Sequence, residues 1–129
     1  MIEHINASGL SEPPGYSHAA VATGERLVLT AGAVPLDPNG DLVGPGDFAA
    51  QTRQVLENLG LALEAAGARG GDVLKTTVYV VSENRADLSE VWRVVQESEV
   101  AAAASTLLGV SLLGYEGQLV EIEAFAVTG

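Results

Sequence analysis

The sequence predicts an α+β sandwich, one domain over residues 1–129, in which a mixed sheet carries two helices on one face in the order β-β-α-β-α-β-β. Three stretches predict it. Phe48, Thr52, Val55, Leu56, Leu59, Leu63 and Ala66 recur at three- and four-residue spacing, the period of a helix with one buried stripe. Residues 73–81, Val-Leu-Lys-Thr-Thr-Val-Tyr-Val-Val, are apolar and β-branched almost throughout, the composition of a strand. In residues 118–127 strand alternation sets Leu119, Glu121, Glu123, Phe125 and Val127 on one side and Val120, Ile122, Ala124 and Ala126 on the other.

Taken in order, residues 1–15 hold Ser, Asn, Gly and Pro13-Pro14-Gly15 and read as an irregular arm. Residues 16–22 read as a first strand. Thr23-Gly24-Glu25-Arg26 is a hairpin turn into a second strand at 27–31, which Gly32 ends or bulges. Two turn clusters, Asp37-Pro38-Asn39-Gly40-Asp41 and Gly44-Pro45-Gly46, predict a long loop with a short hairpin. Asp47 is the N-cap of the first helix and Gly67 its stop. After the strand at 73–81, a second helix runs from Asp87 through Leu88, Val91, Trp92 and Val95, its end blurred by the alanines at 101–104. Residues 106–113 form the penultimate strand, 114–117 its turn, and 118–127 the last strand.

Composition removes several functions. Six Lys+Arg against 17 Asp+Glu leave a net charge of −11, with no basic patch to neutralise phosphates, so nucleic acid and anionic membrane are unsuitable partners. With no cysteine, disulfides, thiolate metal sites and cysteine nucleophiles are excluded. His4 and His18 are too far apart for a helical metal pair, so no metal or cofactor is expected. No signal segment or 18-residue apolar run is visible, and the chain reads as a soluble, cytoplasmic protein. Two Phe, three Tyr and one Trp leave the core to Val, Leu, Ile and Ala, small side chains that bury little area each, so further burial by self-association is expected.

The functional lead is the pair Glu121 and Glu123, two carboxylates among apolar neighbours in a chain with few cations. Such groups are paired, solvated in a cleft, or kept for chemistry. For Glu121 the structural reading is a cross-strand pair with Lys75, and Glu123 reads as a structural or interface carboxylate. Histidine is the residue type whose free side chain titrates near neutrality, which makes His18 a candidate acid/base, although a lone strand histidine is more often packed or exposed. Ser105 with His18 makes only a weak nucleophile–base pairing, because spacing identifies no third residue. Trp92 at helical spacing is read as core or interface.

Five segments together carry a family resemblance: Pro14-Gly-Tyr-Ser-His-Ala19, Leu29-Thr-Ala-Gly-Ala-Val-Pro35, Leu63-Glu-Ala-Ala-Gly67, Asp72-Val-Leu-Lys-Thr-Thr-Val-Tyr-Val80 and Leu119-Val-Glu-Ile-Glu-Ala-Phe-Ala-Val127. In order and spacing the chain resembles the RidA/YjgF family. The resemblance implies a chorismate-mutase-like fold, a homotrimer, and small-molecule clefts between subunits where typical members hydrolyse enamines and imines to 2-oxo acids and ammonia. It implies that Glu121 handles water or a proton, beside His18 as the acid/base candidate read from residue type, and that Tyr16, Ser17, Ala31, Gly32, Ser105 and Thr106 border the ligand. One departure matters most. Where family deaminases carry an arginine that forks onto the substrate carboxylate, this chain has Ser105, and a hydroxyl supplies neither the charge nor the paired donors. Ala31 likewise replaces a family serine, and His18 stands where glutamine is common. Arg85 and Arg93 are alternative cations, read more simply as solvated helix-end charges. Three readings follow: a diverged hydrolase acting on C–N bonds of a ligand without that carboxylate, a non-catalytic binding or regulatory protein that holds a metabolite in the same cleft, or an ordinary enamine/imine deaminase.

Overall fold

A computed structural model describes residues 2–129. Its elements are β1 (Ile2–Ile5), β2 (Ala19–Ala22), β3 (Arg26–Leu29), α1 (Phe48–Ala65), β4 (Val73–Val81), α2 (Arg85–Gln96), β5 (Ala104–Val110) and β6 (Val120–Thr128). Helix α1 starts where its cap signal lies: Asp47, in extended backbone, accepts the Ala50 amide at 3.0 Å and satisfies one of the helix's free N–H groups. At the other end Gly67 takes φ +82°, and the Arg26 guanidinium donates to Ala66 O at 3.1 Å, a cation on the negative end of the helix. Helix α2 begins two residues before the expected Asp87. Asn84 Oδ1 caps it through the Ala86 amide at 3.0 Å, while Asp87 accepts from Ser82 Oγ at 2.7 Å. It closes at Gln96, and the alanine run is a turn that leads into β5.

Four strands form a mixed sheet in the order β3-β6-β4-β5, with β4 and β5 parallel and β6 antiparallel to both its neighbours. Both helices cover one face. There Val55, Leu59, Leu63, Val91 and Val95 meet Val78, Val80, Val120, Ile122, Ala124 and Ala126, all almost fully buried. A completely buried Leu or Ile contributes about 1.5–3 kcal/mol, and the alanines on β6 leave room for helix side chains to interdigitate. The opposite face is open and carries Lys75, Thr77 and Tyr79 of β4, Thr106 of β5, and Glu121, Glu123 and Phe125 of β6.

The N-terminal quarter departs from expectation. Residues 2–5, read as arm, pair with β2 in a separate two-stranded ribbon. A four-residue strand with no alternation of its own is visible only through its partner. The strand expected at 16–22 contracts to Ala19–Ala22, and the hairpin expected at residues 23–26 does not pair β2 with β3. Instead the chain crosses the end of β6, where a Cβ on Gly24 would overlap Val127 and lie 2.8 Å from Thr128 O. β3 stops at Leu29 because Ala31 and Gly32 bulge: Thr30 lies opposite Ala124, but Ala33 lies opposite Ile122, one residue out of step.

Candidate functional site

Glu121 sits on the open face of β6, and its neighbour across the ladder is Tyr79, not Lys75. The register sets Lys75 opposite Phe125, and its ammonium donates to Thr106 Oγ1 at 2.7 Å. Two contacts fix the carboxylate. Gln118, only 3% exposed, donates from Nε2 to Glu121 Oε1 at 3.0 Å and to Val120 O at 3.1 Å, while its Oε1 accepts the Tyr115 amide at 3.2 Å. On the other side the bulge brings Gly32 against the carboxylate: a Cβ there would overlap Oε2 and lie 2.5 Å from Cδ. Gly32 is not among the positive-φ glycines, so the glycine is needed for space and not for backbone freedom. Bulge and glutamine together hold one carboxylate in one orientation.

The turn that carries Gln118 is anchored from α1. Fully buried Gln51 accepts the Leu119 amide at 2.7 Å and donates to Gly117 O at 3.1 Å and Gly44 O at 3.2 Å, tying the loop before α1 to the start of β6. Beside Glu121, the Tyr79 hydroxyl is pushed above its ordinary pKa of 10.0 by burial first, then by the charge of Glu123 and a hydrogen bond to it, and last by the charge of Glu121. The phenol therefore keeps its proton at neutral pH and stands as a donor beside two carboxylates. Past Gln118 the surface continues into a recess of about 440 Å³ lined in part by Val81, Leu113, Tyr115 and Leu119.

The other expected ligand residues lie elsewhere. Tyr16, Pro14, Trp92, Ser105 and Leu107 line a pocket of about 250 Å³ beside α2. Tyr16 packs edge-on to Trp92 at 6.1 Å, and Trp92 Nε1 holds the arm by donating to Pro14 O at 2.8 Å. Ser105 is opposite Thr76 and accepts its hydroxyl at 2.8 Å, which leaves the serine proton for a ligand. None of the five lining residues is cationic; neither Arg85 nor Arg93 is among them. Ser105 shares the helix-covered side with Thr76, whereas Glu121 and Thr106 face the open side, so within one chain the sheet lies between the two halves.

Ser17 and His18 have structural tasks. Ser17 is buried and donates from Oγ to Ala102 O at 2.6 Å, which pins the arm to the turn before β5. His18 accepts the Ala7 amide on Nδ1 at 2.9 Å and has Nε2 3.0 Å from Ser11 O, so a neutral ring donating from Nε2 organises the arm. With both nitrogens occupied, it has no free lone pair to serve as a base. Ala31, on the bulge, points no polar group at a ligand. Sequence reasoning missed Gln118, Tyr79 and Gln51; period-two counting would have put Tyr79 on an open face, but neither glutamine carries a local signal.

A family profile described as Endoribonuclease L-PSP matches residues 9–128. A RutC family protein of Pyrococcus horikoshii is 40% identical over 128 residues, covering 98% of both chains. The rat 2-iminobutanoate/2-iminopropanoate deaminase is 33% identical over 115 residues, 88% of this chain and 80% of its own. Among solved structures, the Rid-family protein YyfB of Yersinia pestis superposes with a TM-score of 0.92 at 37% identity over 98% of each chain. The Escherichia coli YjgF protein, at 32% identity over 97% of this chain and 98% of its own, reaches 0.65. At near-equal coverage the chain superposes more closely on YyfB than on YjgF.

Proposed function

The chain belongs to the endoribonuclease L-PSP family, the RidA/YjgF proteins, and from that premise we propose that it hydrolyses the C=N bond of a small imine lacking the carboxylate that typical family substrates carry. The observation that carries the reading is the placement of Glu121, a carboxylate oriented by Gln118 and fitted against Gly32. Glu121 takes a proton from a water whose oxygen adds to the imine carbon, and the nitrogen receives that proton. The resulting carbinolamine expels ammonia and leaves a carbonyl. Tyr79, protonated beside Glu121, is the donor on the same face.

The second support is the cation-free pocket of Tyr16, Trp92 and Ser105. An aromatic wall with the hydroxyl-bearing Tyr16 and Ser105 suits a neutral, partly apolar group, whereas a carboxylate there would have no charge partner. Self-association into a trimer sets the Ser105 pocket of one subunit against the Glu121 face of the next. Nucleic acid is not a substrate in this reading, since a net charge of −11 repels phosphate.

Ammonia release from imines generated in situ, neutral and carboxylate-bearing, is the test. Turnover of neutral imines should fall about 10²-fold or more in Glu121→Gln, the usual contribution of a positioned base. Unchanged turnover in the variant would remove Glu121 from the chemistry, and saturable binding without ammonia release by the wild type would favour a metabolite-binding role.

A further inference from the structure

β3 is the outermost strand of the four-stranded sheet and has no partner on its outer side among the described residues. Hydrogen-bonding direction alternates along a strand. Because the Thr30 amide donates inward to Ala124 O at 3.0 Å, Leu29 and Leu27 aim their N–H and C=O groups outward. Proteins usually guard such an edge with charge, proline or a covering loop. Here the guard is absent: Leu27 is 64% and Leu29 59% exposed, and Arg26 is drawn away to cap α1.

The missing strand is β2. Only Thr23, Gly24 and Glu25 separate it from β3, a normal hairpin loop. β2 and β3 have equal lengths, yet β2 pairs only with β1, and its Val21 is 51% exposed. The sequence supplies a hairpin that the chain does not close on itself.

We propose that the β1–β2 ribbon of one protomer adds to the free β3 edge of a second copy, so that neighbouring subunits exchange N-terminal strands. Exchange keeps the contacts that a closed hairpin would make and moves them between chains, with residues 23–25 as the hinge. The register follows from the loop: Ala22 opposite Arg26, Val21 opposite Leu27, Ala20 opposite Val28. Val21, Leu27 and Leu29 then cover one another, and four more backbone residues complete the ladder. The exchange is independent of the reaction proposed above.

The chain has no cysteine, so introduced thiols report cleanly. Ala20 and Val28 would form a pair without mutual hydrogen bonds, with Cα atoms about 4.5 Å apart, inside the range a disulfide spans. Ala20→Cys and Val28→Cys chains carrying different tags are co-expressed and mildly oxidised. The expected result is a disulfide-linked species bearing both tags as the major product, with little linkage when either variant is made alone. Absence of the mixed species, self-linkage of Val28→Cys chains, or an Ala20→Cys/Val28→Cys double variant that yields only internally bridged single chains would each overturn the exchange. Because Val28 is buried, the surface pair Ala22→Cys and Arg26→Cys is run in parallel and must give the same pattern.

Discussion

Replacing Gly32 by alanine separates the stability of the fold from the working of the site. The added Cβ overlaps Glu121 Oε2 and lies 2.5 Å from Cδ and 2.8 Å from Cγ, so the atoms it meets first all belong to one side chain. The carboxylate can swing outward. Doing so breaks the bond from Gln118, and a hydrogen bond to a charged group is worth about 1.5–3 kcal/mol at most when shielded from water. Glu121 is only half-buried, and rehydration returns part of that, leaving a loss of about 1 kcal/mol. Gly32 does not occupy the left-handed region, so alanine also restricts the unfolded chain and gives back about 0.4–1 kcal/mol. The two effects nearly cancel, and thermal unfolding should move by less than about 4 °C. Turnover, in contrast, depends on where the carboxylate points, and a misplaced base should cost about 10²-fold. Differential scanning fluorimetry and an ammonia-release assay on the same sample make the comparison. Full activity in Gly32→Ala, or a fall in melting temperature beyond about 10 °C, would refute the steric argument.

Gln51→Leu should behave in the opposite way. It removes two N–H donors and one acceptor that serve Gly117 O, Gly44 O and the Leu119 amide from a fully buried position, at about 1–3 kcal/mol for each group left unsatisfied. A total loss of about 3–5 kcal/mol, read from urea denaturation at fixed protein concentration, is expected; under 1 kcal/mol would mean that the turn holds itself. Tyr79 sets an alkaline limit. Its folded pKa lies above the unfolded value of 10.0, so its contribution is complete below pH 10 and is lost as the pH rises through the folded value. Above pH 10 the unfolded chain releases the proton first, and stability therefore falls with pH. Tyr79→Phe should flatten that decline, and an unchanged slope in denaturation curves across pH 9–11 would contradict the placement of the phenol.

Much of the fold was legible because the signals are local. Asp47 with a three- and four-residue stripe marks α1, and the β-branched run gives β4 with the same bounds in sequence and structure. Ends fixed by side-chain hydrogen bonds were not legible: Asn84 caps α2, which starts two residues before the expected Asp87, and Gln118 bonds to Glu121 while the strand starts at Val120. The N-terminal ribbon was missed for a different reason. Ile2–Ile5 has no periodicity of its own, and the loop at 23–25 carries a sound hairpin signal that the single chain leaves unused. At the site, the alternation in β6 correctly put Glu121 and Glu123 on one face, but the partner of Glu121 depends on register, which composition does not encode. His18 illustrates the limit further. Its residue type pointed to acid/base chemistry, and its two ring nitrogens are occupied by Ala7 and Ser11.

The claim on which the functional account rests is that the Ser105 pocket takes a neutral group because no cation lines it. Comparing kcat/KM for 2-iminopropanoate and for a neutral imine of similar size, in the wild type and in Ser105→Arg, measures this directly. The wild type should favour the neutral imine, and the introduced guanidinium should raise kcat/KM for 2-iminopropanoate by roughly tenfold or more while leaving the neutral substrate unimproved. Efficient hydrolysis of 2-iminopropanoate by the wild type, with no gain from arginine, would show that another cation grips the carboxylate and that the chain is an ordinary imine deaminase.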